Sequence, residues 1–387
     1  MGSEQQQQNG LGAAAPEARS KPTVCFLGPV SSYTHQATLE TFPTDKFDLI
    51  PVETIKDIFA TTQSGRATYG VVPYENSSNG SVVFTLDLFA DRAGEYPDIS
   101  ACAEIYLDVH HCLLGHPLPS QSQSQSQSQI PPQSQDQGQG QDLDVDLSHI
   151  TRVYSHPQAF GQCASFLRQH LRGVETVDTS STSRAAELAL ADPSRRSAAV
   201  SSAAAAKLLG LQVLARDIED RKDNTTRFFV LRRGIGDVGE DGDEEALREV
   251  LSARRRGRRG VGKRKRADVK GEDEGKEGGE AEKEGAEEEG EGKPDIYSQT
   301  KSLASFTVPH RSPGALADVL ECFRRARLNL TGIQSRPSLA EPFQYVVFVE
   351  FEGHRFRDPE GRVSDALACV AGVARSSRWL GSWDSMR

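Results

Sequence analysis

The stretch TVCFLGPVSSYTHQA, residues 23–37, decides how the rest of the chain is read. Thr23 to Leu27 make a short apolar run of strand length, Gly28 and Pro29 stop it, and a polar helix start follows. A second run, YGVVPYEN (69–76), carries Pro73, and SVVFTLDLFA (81–90) sets Val82, Leu86 and Phe89 on one helical face. Strand, helix and strand in this order are βαβ logic, which favours an open sheet with helices on its faces.

Working outward, EIYLDVHHCLLG (104–115) alternates as a strand does, and the pattern restarts at ITRVYSHPQAFGQCASFLRQH (150–170). Val153 and Tyr154 close a strand there, and Phe160, Cys163 and Phe166 or Leu167 recur at helical spacing. SRAAELAL (183–190), AAVSS (198–202) and AAAAKLLG (203–210) complete a second α/β unit. Two such lobes joined by crossing strands leave a cleft between them. The last 85 or so residues change scale. SLASFTV, PGALADVLECFRRA, LNLTGIQSRP, FQYVVFVEFEG, VSDALACVAGVA and SRWLGSW read as βαββαβ, a compact separate domain.

Two low-complexity tracts interrupt these patterns. One runs from Pro119 to Asp142 and is built of Gln and Ser; the other covers about 234–294 and is rich in Glu, Gly, Lys and Arg. Neither has the apolar surface to offset the entropy of ordering it. The expected organisation is a disordered 1–21, a two-lobed unit over 22–233 with an insertion at 119–148, a disordered charged linker at 234–298, and a final domain at 299–387. The formal charge is −10, but 20 acidic and 14 basic side chains lie within 236–295, so most of that imbalance is local. Charge thus gives no reason to expect a nucleic-acid partner. The basic run RRRGRRGVGKRKR (254–266) is open to a nuclear-import reading, against which stand the acidic blocks flanking it.

No stretch approaches about 18 unbroken apolar residues, and the N-terminal residues lack a signal-peptide core, so no membrane partner is expected. The six cysteines form no CxxC pair or paired framework, which suggests reduced thiols in a cytoplasmic protein.

Five polar clusters fall at predicted strand ends, where open α/β sheets hold ligands: GPVSSYTHQA (28–37), PYENSSNGS (73–81), SHPQAFGQC (155–163), DTSSTS (178–183) and DNTTRF (223–228). They offer hydroxyls, amides and one arginine, without the ligand spacing of a metal site. Taken singly, each has a plainer reading. Ser81 and Ser183 suit helix N-caps, Gly28 and Pro29 a turn, His156 a turn bonded to backbone, His35 a place on the first helix, and Glu75 a partner for a surface cation.

Taken together and in this order, the clusters resemble prephenate dehydratase from about Thr23 to Leu231, apart from the Gln-Ser insertion. The family patterns are GPxGSYTHQA, PxENSxxG, SHPQxxxQC, a TSST-like run and NxTRF; Val30 departs from the small residue usual in the first. The final domain resembles the ACT regulatory domain, with GALxxVL at Gly314, Ala315, Leu316, Val319 and Leu320. The family's ESRP stands here as QSRP, so Gln334 replaces a glutamate.

The resemblance implies a monofunctional, fungal-type enzyme with a two-lobed, type II periplasmic-binding-protein-like catalytic domain and a ferredoxin-like ACT domain. It implies conversion of prephenate to phenylpyruvate without metal, nucleotide or flavin. Thr226 would donate a hydrogen bond to the leaving hydroxyl, while Arg227 would hold the retained carboxylate or buttress its loop. Glu75, Asn76 and Ser77 would shape the pocket beside Gln162, and Thr34, Ser155, Ser181 and Thr182 would meet carboxylates or ring. Inhibitory L-phenylalanine would meet Gly314, Ala315, Leu316, Asn329, Gln334, Ser335, Arg336 and Pro337.

A homodimer or homotetramer follows from the pairing habit of ACT domains. Two other readings stay open at this point, arogenate dehydratase and a non-catalytic phenylalanine sensor. The roughly 20 residues before Lys21 are too few for a chorismate mutase domain.

Overall fold

The computed structural model describes residues 21–117, 145–234, 245–256, 296–309 and 311–386; most of both low-complexity tracts lies outside these residues. The first lobe is built from β1 (Thr23–Leu27), β2 (Asp48–Val52), β3 (Tyr69–Asn76), β4 (Gly80–Ser81), β5 (Ile99–Asp108) and the returning β11 (Thr225–Arg233). Its helices are α1 (Tyr33–Thr41), α2 (Ile55–Gln63) and α3 (Val83–Ala90). β1 pairs in parallel with β2 and β3, and β11 runs antiparallel between β3 and β5.

The chain leaves this lobe after β5 through residues 109–111 and returns through 216–224, so two segments join it to the second lobe. That lobe holds β6 (Cys112–Gly115), β7 (Arg152–Ser155), β8 (Glu175–Asp178), β9 (Ser197–Ser201) and β10 (Gln212–Ala215), in the order β10-β6-β9-β7-β8. Four helices flank it: α4 (Pro157–Gln162), α5 (Ala164–His170), α6 (Thr182–Ala191) and α7 (Ala203–Leu209). The fold is two α/β lobes joined by two crossing segments. The periodic run after Ser155 is two helices, because the chain breaks at Cys163.

A helix, α8 (245–256), follows within the tract expected to be a disordered linker. Leu247 is fully buried in the first lobe's core with Val24, Phe26 and Phe228, which is why this segment is ordered. Val145 and Leu147 likewise pack on the second lobe's core, so residues 145–148 belong to that core rather than to the expected insertion.

The C-terminal domain runs β12 (Thr300–Thr307), α9 (Ala315–Arg325), β13 (Leu330–Pro337), β14 (Tyr345–Glu352), α10 (Arg362–Val373) and β15 (Ser376–Asp384). Its strand order β13-β14-β12-β15 is ferredoxin-like. Cys322 on α9 and Cys369 on α10 are joined as a disulfide, correcting the expectation of six reduced thiols; Cys25, Cys102, Cys112 and Cys163 are buried and outside that disulfide. The two sulfurs lie 47 residues apart in sequence and meet only because the helices pack side by side.

This domain does not stand apart from the first lobe. β15 joins β5 through the single parallel pair Gly381↔Ala101, giving one ten-stranded sheet among the described residues. One core cluster spans the junction, with Ala101, Phe229 and Leu231 on one side and Leu303, Phe348, Leu380 and Trp383 on the other. β5 is therefore buried on both faces along nearly all its length instead of alternating as its sequence suggests.

Gly381 has φ 144°, and a Cβ placed on it would lie 2.0 Å from the Ala101 carbonyl oxygen. Gly381→Ala is thus expected to cost about 2 kcal/mol from backbone strain alone. A lowered urea midpoint with faster proteolysis between the domains would show it, and unchanged values would refute the edge-on docking.

Candidate active site

Thr226 sits near the start of β11, directly opposite Asn76, the last residue of β3. The Asn76 amide nitrogen donates to Thr226 Oγ1 at 3.0 Å and to Asn224 Oδ1 at 2.8 Å. Its oxygen accepts from the backbone N–H groups of Ser78 and Asn79, each at 3.0 Å, and this fixes which end of the amide faces Thr226. The bond fills an acceptor position on Oγ1 and leaves the hydroxyl proton to be donated elsewhere. Thr226 is half-buried, so its oxygen is held on a rigid strand end without being sealed off.

Arg227 points to the other face of β11, which favours the bracing role over the carboxylate grip among the two expected of it. Its Nη2 lies 2.6 Å from Glu104 Oε2 and 2.7 Å from Glu350 Oε2, while Glu75 is 3.9 Å from Nη1. Lys301 completes the group, 3.1 Å from Glu350 and 3.7 Å from Glu104. The rings of Tyr74, Phe229 and Trp383 surround the guanidinium. Burial opposes its charge, but the two glutamates outweigh that and raise its pKa. Glu350 is pulled by burial toward the neutral form, yet Arg227 and Lys301 hold its carboxyl below the ordinary range. Two positive and two negative groups thus neutralise one another between the catalytic strand and the C-terminal domain.

The other expected site residues divide by what their polar atoms already do. Glu75 keeps a carboxylate 43% exposed at the end of β3. Ser77 Oγ donates to the Asp223 carbonyl and accepts from Thr225 N–H, so it staples the β3 and β11 ends together instead of facing ligand. Ser155 is fully buried, and its hydroxyl donates to the Val200 carbonyl at 2.8 Å; this removes it from direct contact. Thr34 is 5% exposed on the inner side of α1, which likewise leaves it no open face.

Ser181, not Ser183, caps α6 by accepting from Arg184 N–H, and Thr182 is the first helical residue. Ser183 is buried within that first turn, and Ser81 belongs to β4, with Val82 ahead of α3. His156 caps α4 with its ring nitrogen, and His35 lies on α1. α1 and α6 both start at the carboxyl ends of parallel strands, and neither has an acidic residue in its first turn. Their partial positive charge is therefore uncompensated and suits an anion.

Gln162 ends α4, and its side-chain oxygen lies 2.7 Å from His111 Nε2. His111 Nδ1 lies 2.8 Å from the hydroxyl of Tyr33, on α1 of the first lobe. A hydrogen-bonded line therefore runs from the first cluster to the third across the junction of the lobes. Tyr33, His111 and Asn224 join the site although none of them was an expected site residue. The signal was present in Tyr33, inside the first motif, and in the His-His pair that separates two strand-like runs.

In the C-terminal domain Gly314 is the left-handed N-cap of α9, Ala315 is buried, and Leu316 is 40% exposed. The Asn329 carbonyl accepts from Glu352 N–H. Gln334, Ser335, Arg336 and Pro337 lie on β13, the edge of the sheet. Arg336 makes two 2.8 Å bonds to the Asp87 carboxylate on α3, so this strand is tied to the first lobe.

The comparisons with known proteins agree with this geometry. Residues 24–235 match the sequence model of prephenate dehydratase. The bifunctional chorismate mutase/prephenate dehydratase of Aquifex aeolicus is 30% identical over 372 residues, covering 96% of this chain and 76% of that protein. A probable prephenate dehydratase of Saccharomyces cerevisiae is 26% identical over 358 residues, covering 85% and 86%. Among solved structures, the Arthrobacter aurescens prephenate dehydratase in complex with L-Phe superposes with a TM-score of 0.66. It is 24% identical, covers 94% of this chain and 90% of that one, and shares the fold.

Proposed function

The chain belongs to the prephenate dehydratase family, and from that premise we propose how its residues turn prephenate into phenylpyruvate. The bond to the ring carboxylate breaks and its electron pair enters the ring, expelling the ring hydroxyl. Carbon dioxide leaves, and the hydroxyl takes a proton to leave as water. Aromatisation supplies the driving force, so the protein needs to orient a dianion and stabilise the departing oxygen.

Thr226 donates to that oxygen. The observation that carries this reading is the Asn76 bond, which occupies Oγ1 as acceptor and turns the hydroxyl into a preorganised donor. Threonine is too weak an acid to ionise, so its contribution is a hydrogen bond and the proton comes from solvent. The first turns of α1 and α6 draw in the carboxylates, with Thr182 N–H and the Gln162 amide as donors. Glu75, opposite Arg227 on β3 and 3.9 Å from its guanidinium, helps hold the strand end on the face away from Thr226. Arg227 acts at one remove, by bracing the strand that carries Thr226.

Inhibition by L-phenylalanine belongs to the same proposal. The motif over 314–316 and the strand over 334–337 supply the binding groups, and the Arg336–Asp87 pair offers a mechanical link to the first lobe. Gln334 in place of a glutamate removes a charge partner for the amino group. Calorimetry on the full chain is expected to show L-phenylalanine binding accompanied by slower turnover; absence of heat would remove the regulatory reading while leaving catalysis untouched.

A homodimer or homotetramer is also proposed, because among the described residues β13 leaves one edge unpaired and exposes Leu330 and Ile333. No helix among the described residues is long and apolar enough to cross a membrane. Cytoplasmic residence is proposed on Cys25, Cys112 and Cys163, which are buried and outside the Cys322–Cys369 disulfide.

A further inference from the structure

We infer that His111 is a positioning residue for catalysis: held where the two lobes cross, it sets the tautomeric order that turns the amide N–H groups of Gln162 toward substrate. The inference rests on the reading of Gln162 as a substrate contact.

His111 is the last residue of the outgoing crossing. Its carbonyl accepts from Ile218 N–H at 3.0 Å, and its N–H donates to Glu219 Oε2 at 2.8 Å, so both backbone groups are fastened to the returning crossing. The other oxygen of Glu219 meets His110 Nδ1 at 2.8 Å. The Gln162 carbonyl, in turn, accepts from Asp220 N–H at 2.7 Å. The imidazole is thereby clamped at one point while α1 and α4 approach its two nitrogens. It is only 2% exposed and meets the Tyr33 ring edge-on, with centroids 5.7 Å apart.

The donor and acceptor order follows from chemistry. Gln162 Oε1 accepts only, so His111 Nε2 carries the proton. In the neutral ring Nδ1 then accepts, and the Tyr33 hydroxyl turns its single proton to it at 2.8 Å in preference to the His110 carbonyl at 3.1 Å. Burial favours this neutral ring, against the pull of Gln162 and Glu219 and with the repulsion of His110. With its oxygen engaged, Gln162 has two N–H donors left for an anion. An amide free to flip would at times offer its oxygen, which repels a carboxylate.

The test uses the full-length chain and prephenate. His111→Phe keeps the ring volume and removes both bonds; kcat/KM is expected to fall about 100-fold, mainly in kcat. His111→Gln retains a donor toward Gln162 and is expected to stay within about tenfold of wild type, and Tyr33→Phe to show an intermediate loss. Nitrogen-15 spectra of histidine-labelled protein should report the Nε2–H tautomer for His111 at neutral pH.

Wild-type turnover by His111→Phe, or an Nδ1–H tautomer, overturns the inference. If His111→Phe fails to fold, His111→Gln and Tyr33→Phe with the spectra decide it. Wild-type turnover by Gln162→Ala would instead discard the substrate role of Gln162 and leave the tautomer measurement standing.

Discussion

Replacing Thr226 with alanine is expected to lower kcat on prephenate by about 100- to 1,000-fold, the usual loss when one preorganised donor to a developing oxyanion is removed. KM should move little, because the hydroxyl matters when charge builds on the departing oxygen rather than when the ring binds. The fold should survive, since Thr226 is half-buried and its backbone remains in the ladder with Asn76 and Leu107. Thr226→Ser keeps the donor and should recover most of the rate. Thr226→Val keeps the shape and should not, which separates hydrogen bonding from packing. Steady-state kinetics on the three variants checks the claim; comparable turnover by the valine and serine forms would refute it.

The second large effect is on stability. Arg227→Met removes one of the two cations that Glu104 and Glu350 share and leaves both carboxylates to Lys301 alone in a nearly sealed space. Breaking a buried pair in this way costs about 3–5 kcal/mol, a large share of the total stability of a domain. Urea unfolding should show the loss as a lower midpoint. Adding Glu350→Gln to Arg227→Met should restore part of it, because one orphaned charge is gone.

The network also gives a pH dependence. Glu350 has a lowered pKa in the folded chain, so its contribution is complete above the ordinary glutamate range and is lost as the pH falls through the folded value. Acid should therefore loosen the junction of the C-terminal domain before it unfolds either lobe. Equal midpoints for wild type and Arg227→Met would show the network to be energetically idle.

How much of this was legible in the sequence depended on whether the cause was local. The C-terminal βαββαβ order was, since FQYVVFVEFEG alternates cleanly and Gly314 marks a helix start. The strand at 23–27 and its following helix were legible for the same reason. β5 misled, because the residues that cover its second face come from a domain some 200 residues later. Arg227 stayed open between two roles for the same reason: a motif gives spacing, whereas the side of a strand an arginine takes depends on where Glu350 arrives.

Leu247, Val250 and Leu251 recur at helical spacing within a charged tract, and the groove they fill in the first lobe's core explains why that helix is ordered. Among the hydroxyls, Ser181 and Ser183 are two residues apart and chemically alike, so which one caps α6 was decided by helix phase. His111 carries no motif at all; its importance lies in meeting Tyr33 and Gln162, 78 and 51 residues away.

The central claim is that a neutral hydroxyl on β11, oriented by Asn76, drives loss of water and carbon dioxide from prephenate. The most direct measurement incubates wild-type chain and Thr226→Val with prephenate, and in parallel with arogenate, following phenylpyruvate and phenylalanine by absorbance and chromatography. The account predicts phenylpyruvate from the wild-type chain and prephenate, with the rate collapsing in Thr226→Val. Equal phenylpyruvate from both chains, or none from the wild type, would contradict it.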